Sequence, residues 1–210
     1  HMVFSNYGII LKGIGKLKEA ELLYRKAIEI KPNYTDAHLN LGNILKDLGQ
    51  LQSAELLYRK AIKLKPDYAE AHSNLGNILG DIGKLQEAEL STRKAIELKP
   101  DYAEAYSNLG IILSNLGKLE ELILLSKSIL KSRSINKGFK INASLQITIA
   151  SLLKGDYTET FLNLNKTKEL ISQNTINSIK DEKSRKYTST FFKFITSLYP
   201  QLEKENNNSE

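Results

Sequence analysis

Few residues of this chain are of a kind that makes or breaks bonds at neutral pH. Its 210 residues include no cysteine, which excludes thiolate nucleophiles, disulfides and sulfur-ligated metals. Apart from His1, the histidines are His38 and His72, which stand 34 residues apart. Two imidazoles at that interval could share a ligand. No cysteine or carboxylate cluster accompanies them at metal spacing, so a packing role is expected and no metal or cofactor is. Gly13 and Gly15 lack the strand–turn–helix setting of a phosphate loop. One polar set does recur: Asn6, Asn40, Asn74 and Asn108, with Asn43 and Asn77 three residues after two of them. An amide offers donors and an acceptor, so a column of amides can pair with both N–H and C=O of an extended polypeptide. That is recognition chemistry. No catalytic constellation is visible, and no enzyme activity is expected.

The interval of these asparagines is the interval of the whole text. AHLNLGNILKDLG (37–49) returns as AHSNLGNILGDIG (71–83) and AYSNLGIILSNLG (105–117). On a 34-residue frame starting at residue 1, position 8 is Gly8, Gly42, Gly76 and Gly110, and position 15 is Gly15, Gly49, Gly83 and Gly117. Position 20 is Ala20, Ala54, Ala88 and then Leu122; position 27 is Ala27, Ala61, Ala95 and then Ile129; position 32 is Pro32, Pro66, Pro100 and then Ser134. Each unit reads as two helices. The first is expected to open at Asn33, Asp67 or Asp101, good N-caps followed three residues on by Asp36, Glu70 or Glu104 in a capping-box-like arrangement. Leu41, Ile44, Leu45 and Leu48 recur at helical spacing, and Gly49 ends the helix in the left-handed conformation. Leu51, Ala54, Leu57, Tyr58, Ala61 and Ile62 share one face of the second helix, which Pro66 stops. The small residues at 8, 20 and 27 let two axes approach where longer side chains would push them apart. One pair cannot bury its own apolar face, but stacked neighbours can.

This pattern resembles the tetratricopeptide repeat. The second unit supplies His38, Leu41, Gly42, Leu45, Ala54, Tyr58, Ala61 and Pro66 at the family's signature positions. The resemblance covers residues 1–136, as units 1–34, 35–68, 69–102 and 103–136. It implies an all-α fold: a right-handed α-solenoid of antiparallel helix pairs with C-terminal capping helices. Position 24 drifts from Tyr24 and Tyr58 to Thr92 and Ser126, and the fourth unit has lost its alanines and proline, so its second helix is expected to sit differently. Beyond it the frame slips by four residues. Residues 137–172 read as a degenerate fifth pair around Gly155, with Thr160 and Thr167 at positions 20 and 27. In 173–199 a helix with the stripe Tyr187, Phe191, Phe194, Ile195 and Leu198 would cap the array, or meet a partner or a membrane surface. The tail 200–210 is polar and reads as disordered.

The resemblance implies that positions 2, 5, 6, 9, 12 and 13 of the first helices line a concave groove for protein or peptide partners. Those positions hold Asn6, Asn40, Asn74 and Asn108, Asn43 and Asn77, Ser73 and Ser107, Lys46 and Asp81. The ladder at position 6 is similar to that of the repeat superhelix of O-linked N-acetylglucosamine transferase, which grips substrate polypeptides. The same amides could instead only solvate the groove or bond locally, and the residues leave both readings open. The family's carboxylate clamp needs Lys and Arg where this chain has Asp36, Glu70 and Glu104 at position 2 and no Arg at position 6. A C-terminal chaperone tail is therefore not an expected ligand.

Composition narrows the partners. The formal charge is +6, but residues 1–130 hold 17 basic and 16 acidic side chains, against 13 and 8 in 131–210. The basic surplus lies outside the repeats and forms no basic–aromatic stripe, so nucleic acid is not expected. No apolar run approaches the ~20 residues that cross a bilayer, and the start has no signal-peptide pattern. A cytoplasmic location is expected. His1-Met2 resembles the remnant of a cleaved purification tag. Val3, Phe4, Ile9 and Ile10 begin inside a repeat, so the chain reads as an excised piece whose uncapped end would self-associate. The expected function is a non-catalytic protein–protein interaction scaffold. Two alternatives stay open. One is the recognition arm of a larger transferase-type enzyme, since similar arrays stand beside glycosyltransferase- or sulfotransferase-like domains in bacterial proteins. The other is a structural spacer or oligomerisation module.

Overall fold

A glycine at positive φ closes every first helix of the repeats. Gly15, Gly49, Gly83 and Gly117 have φ between 69° and 82°. The residue after each donates its N–H back to Leu11, Leu45, Leu79 or Leu113, the paired bonds of a Schellman ending. The structure is a computed structural model that describes residues 1–132 and 135–172. The helices are α1 (Met2–Gly13), α2 (Leu17–Ile30), α3 (Thr35–Asp47), α4 (Leu51–Leu64), α5 (Ala69–Asp81), α6 (Leu85–Leu98), α7 (Ala103–Asn115), α8 (Leu119–Lys131), α9 (Lys137–Leu153) and α10 (Tyr157–Ser172). The described residues hold no strand. The chain divides into two compact units, His1–Ile112 and Leu113–Glu210, and the division falls inside α7. The expected cap over 173–199 and the tail 200–210 lie outside the described residues.

In the first unit α1 packs on α2, α3 on α4 and α5 on α6, and each pair stacks on the next through α2–α3 and α4–α5. The alanines at positions 20 and 27 are buried, as are Leu41, Ile44, Leu45, Ile78 and Leu79. Position 8 is where the helices of a pair come closest. A Cβ on Gly42 would lie 2.6 Å from Cε1 of Tyr58, and one on Gly8 would lie 2.8 Å from Cζ of Tyr24. In the third repeat the aromatic ring is gone, yet the contact persists. Thr92 donates its hydroxyl to Ala88 O at 2.8 Å and fills the space over Gly76.

The expected N-caps are not observed. Asn33 and Asp67 sit inside the turn, Tyr34 and Tyr68 hold the cap positions, and neither makes a side-chain cap bond. The reason is the preceding proline. It starts a tight turn in which the N–H of Tyr34, Tyr68 or Tyr102 returns to the carbonyl of Lys31, Lys65 or Lys99, so the helix begins one residue later than the Asx signal implies. Asp36, Glu70 and Glu104 do fall in the first turn, where the dipole favours them.

Ion pairs tie second helix to second helix. Arg59 bonds Glu55 at 2.9 Å on its own helix and Glu87 of α6 at 2.6 Å, and Lys84 reaches back to Glu55 at 3.1 Å. Burial pushes the Glu55 carboxyl up, but the hydrogen bonds from Lys84 and Arg59 outweigh it and hold the group below its ordinary value.

In the second unit, α8 packs on α9 and α9 on α10. Both later helices have true caps: Asn136 accepts from the Phe139 N–H and Asp156 from the Glu159 N–H. Small polar residues stand where the repeats have glycine and alanine. Thr148, Thr160 and Thr167 are buried, and each returns its hydroxyl to the carbonyl four residues back. The hydroxyls of Ser144 and Thr167 meet at 2.6 Å between the helices.

Three substitutions test these contacts. Gly42→Ala should lose about 1–2 kcal/mol in urea unfolding, because overpacking against Tyr58 exceeds the gain in helix propensity. Gly13→Ala, where a Cβ meets nothing within 4 Å, should be neutral or stabilising. Glu55→Gln should cost about 1 kcal/mol at pH 7, discounted for the exposure of Lys84 and Arg59. A depressed carboxyl stabilises above its unfolded value of 4.5 and loses that contribution as pH falls through the folded one. The wild type should therefore lose more stability than Glu55→Gln between pH 7 and pH 3.

Candidate functional site

The histidines serve the turns. His38 Nε2 lies 2.8 Å from Pro32 O, and His72 Nε2 lies 2.9 Å from Pro66 O. In the next repeat Tyr106 occupies the same position and donates its hydroxyl to Pro100 O at 3.1 Å. Position 4 thus needs a ring with a polar edge that satisfies the carbonyl of the turn proline, and imidazole is one way to supply it. Ser91 lies near His72 but donates to its backbone carbonyl at 3.0 Å, so the pair is no nucleophile–base couple. Among the described residues no group of three or more His, Cys, Asp or Glu could hold a metal ion. His72 also borders a shallow depression of about 490 Å³ lined by Ile62, Leu75, Leu79 and Leu90 between α4, α5 and α6.

The asparagine ladder divides into two sets. Asn43 is held from both sides: its Oδ1 accepts from the Tyr58 hydroxyl at 2.8 Å and from Asn74 Nδ2 at 2.9 Å. Asn108 Nδ2 donates to Ser73 Oγ at 3.2 Å. These bonds join the first helix of one repeat to that of the next. Asn40 and Asn77 make no hydrogen bond among the described residues, and neighbouring residue types explain why. Asn40 would look back to position 9 of the first repeat, which is Ile9 and has no acceptor. Asn77 would need a tyrosine at position 24 like Tyr58, but that residue is Thr92, whose hydroxyl is committed to Ala88. Asn6 and Asp81 are exposed; Asn40, Lys46, Asn77 and Ser107 are half-buried.

Position 5 differs from the expectation. Ser5, Leu39 and Ser73 are buried between helices, and the Ser73 hydroxyl is occupied by Asn108, so Ser73 does not present itself to a ligand. Of the readings left open for the amides, Asn43, Asn74 and Asn108 show local bonding: they form part of the joints between repeats.

Residues 36, 40, 43 and 47 lie one above another on α3, as 70, 74, 77 and 81 do on α5. Sequence reasoning missed the tyrosines beside this stripe. Tyr34, Tyr68 and Tyr102 recur at position 34, half-buried, and each carries a lysine ammonium over its ring: Lys31 at 5.7 Å, Lys65 at 4.8 Å and Lys99 at 5.0 Å. Tyr68 donates its hydroxyl to Asp36 Oδ1 at 3.0 Å. The Tyr102 hydroxyl is pushed up to about 12, by burial first and then by the Glu70 and Glu104 carboxylates. Their periodicity was readable in the text, but aromatic residues just after a turn proline carry no signal that they border the polar first-helix stripe.

Stacked helix pairs with a polar first-helix stripe define a protein of the helix-repeat solenoid class. Family models agree on which one. The model described as TPR repeat matches residues 10–49 and 42–83, and models described as Tetratricopeptide repeat match 69–102 and 92–123. The chain belongs to the tetratricopeptide repeat family. No curated protein matches it in sequence. Among solved structures it is similar to MamA, at 28% identity and a TM-score of 0.73, covering 79% of this chain and 95% of that one. It shares the fold of YrrB, described as a TPR protein with an unusual peptide-binding site, at 19% identity and a TM-score of 0.69, over 89% of this chain and 90% of that one. The first repeat domain of Spaghetti (RPAP3), bound to the HSP90 peptide SRMEEVD, is 27% identical with a TM-score of 0.54, over 55% of this chain and 91% of that one. No helix of the described residues is long and apolar enough to cross a membrane.

The assignment of position 4 is open to direct measurement. His72→Tyr should keep stability within about 0.5 kcal/mol, because the hydroxyl can take over the bond to Pro66 as in the fourth repeat. His72→Phe should lose about 1 kcal/mol in the same urea titration, since it leaves that carbonyl unpaired.

Proposed function

We propose that the chain is a non-catalytic protein-interaction scaffold, and that the first-helix face of residues 1–112 takes an extended peptide. The observation that carries this reading is the division of the ladder. The side-chain amides of Asn40 and Asn77 have a full set of donors and acceptors with no partner among the described residues. Asn43 and Asn74 are already fixed in place, with Asn43 Nδ2 and Asn74 Oδ1 still available. A side chain that is ordered before binding loses little further entropy when it binds. Alternating donors and acceptors along one line match the edge of an extended backbone, which reads main chain more than side chain. Asn6, Lys46, Asp81, Asn108 and Ser107 extend the proposed site along the same helices.

The RPAP3 repeat with its bound peptide supports the idea that this fold takes a linear segment. The ligand class is different here. Asp36, Glu70 and Glu104 stand where a carboxylate-binding face would need cations, so an acidic C-terminal tail is disfavoured.

The test starts from phage-displayed peptides of about twelve residues, selected on the intact chain. Asn40→Ala/Asn77→Ala should weaken the selected peptides about tenfold or more, two hydrogen bonds at roughly 1 kcal/mol each, and leave the thermal melt unchanged. Asn74→Ala should instead lower stability by about 1 kcal/mol, because it opens a joint between repeats. Unchanged affinity in the Asn40/Asn77 variant would sink the proposal.

A further inference from the structure

The acidic side of this face selects among peptides. The first helices present five carboxylates along it, Asp36, Asp47, Glu70, Asp81 and Glu104, against Lys12 and Lys46. Lys12 is already paired with Asp47 at 3.4 Å. This excess is local, since residues 1–112 as a whole hold 15 basic and 14 acidic side chains. The second helices treat their acids differently. Glu21 and Glu55 are each met by an arginine four residues on, at 2.8 and 2.9 Å. Among the described residues Asp36, Glu70 and Glu104 form no ion pair.

These three carboxylates also act on one another. The Glu70 carboxyl is held above its ordinary value, by burial first and then by the charge of Asp36; Glu104 adds to this, while Lys12 and Lys99 oppose it. A cation placed between the acids would relieve the repulsion. Beside them stand Tyr68 and Tyr102, half-buried, whose rings already carry the ammonium groups of Lys65 and Lys99 at 4.8 and 5.0 Å. Ile9 and Ile111, both exposed, stand at position 9 of the first and fourth repeats.

We propose that the segment bound on this face is basic: its lysine or arginine side chains place their charged heads against Asp36, Glu70 and Glu104, while the asparagines hold the backbone. The proposal rests on the reading of the face as a peptide site and names its ligand. Geometry adds a register. Neighbouring packed helices stand roughly 10 Å apart, and an extended chain advances about 3.3 Å per residue. One repeat therefore spans about three residues of ligand, and the pattern that fits is a basic residue at every third position.

The experiment is fluorescence anisotropy with four labelled peptides: (Lys-Ser-Ser)4, (Glu-Ser-Ser)4, (Gln-Ser-Ser)4, and a block peptide of four lysines followed by eight serines. The first should bind, weaken as salt rises, and lose about tenfold in affinity with Glu70→Gln/Glu104→Gln, which removes two close charge partners. The same charge change on α2, Glu19→Gln/Glu29→Gln, should move affinity by less than about twofold, as expected for distant screened charges. The block peptide should bind more weakly than the spaced one. Equal affinity for the lysine and glutamate peptides, or indifference to the Glu70/Glu104 variant, overturns the proposal. If the glutamine peptide binds best and Asn40→Ala/Asn77→Ala abolishes it, the peptide site stands and its basic preference is refuted. If neither these peptides nor any displayed peptide depends on the asparagines, both readings fall together.

Discussion

The ring of Tyr58 lies where a methyl group on Gly42 would be, and the polar architecture of the second repeat depends on that contact. It sets how near α3 comes to α4. It buries the ring while aiming the hydroxyl past the glycine to the next residue of α3, Asn43, which it meets at 2.8 Å. With Asn43 fixed from its own repeat, the next first helix has something to bond to, and Asn74 does so. A contact of van der Waals origin thus determines where an amide points, and that amide in turn joins two repeats. A half-buried hydrogen-bond network of this kind makes such a joint specific as well as stable.

The repeats are near copies, yet the small differences among them change which groups are available. Thr92 replaces Tyr24 and Tyr58 at position 24 and turns its hydroxyl inward to Ala88. Asn77 then has no hydroxyl above it, and Asn108 bonds to Ser73 instead. Ile9 replaces Asn43 at position 9 and leaves Asn40 without an acceptor. The substitution at position 24 thus lies off the first-helix face and still alters it, through the loss of a hydrogen bond.

The fold was legible because its signals are redundant. Glycine at position 15, proline at position 32 and alanine at positions 20 and 27 each mark the same helix pair independently, and the structure keeps all of them in place. The helix starts were less legible. Asn33 and Asp67 have the chemistry of N-caps, but the proline before them commits the backbone to a turn that postpones the helix. The site was half legible. Spacing alone shows that asparagines recur on one face, and whether an amide is spent on a neighbour depends on distances that only folding sets. Ser73 illustrates the limit: its serine identity and family position imply a groove residue, and its burial removes it. Thr148, Thr160 and Thr167 show the opposite case. They break the small-residue pattern on paper, yet each satisfies its own hydroxyl along its helix and so packs much as glycine or alanine would.

Charge is arranged by the same logic of helix ends and helix faces. The acids of position 2 sit in the first turn of their helices, where the dipole stabilises them without a counter-ion. Glu21 and Glu55 of the second helices stand past the first turn, where that field is weaker, and arginines four residues on neutralise them. The helix start can therefore hold an unpaired carboxylate at lower cost than any other part of the repeat. Stacking the repeats lines those starts up, so that Asp36, Glu70 and Glu104 come to lie near one another. The negative strip on the first-helix face follows from repeat geometry and the helix dipole together. It persists in a region of balanced composition because each acid gains from its own helix dipole, a gain that for Glu70 is opposed by burial and by the charge of Asp36.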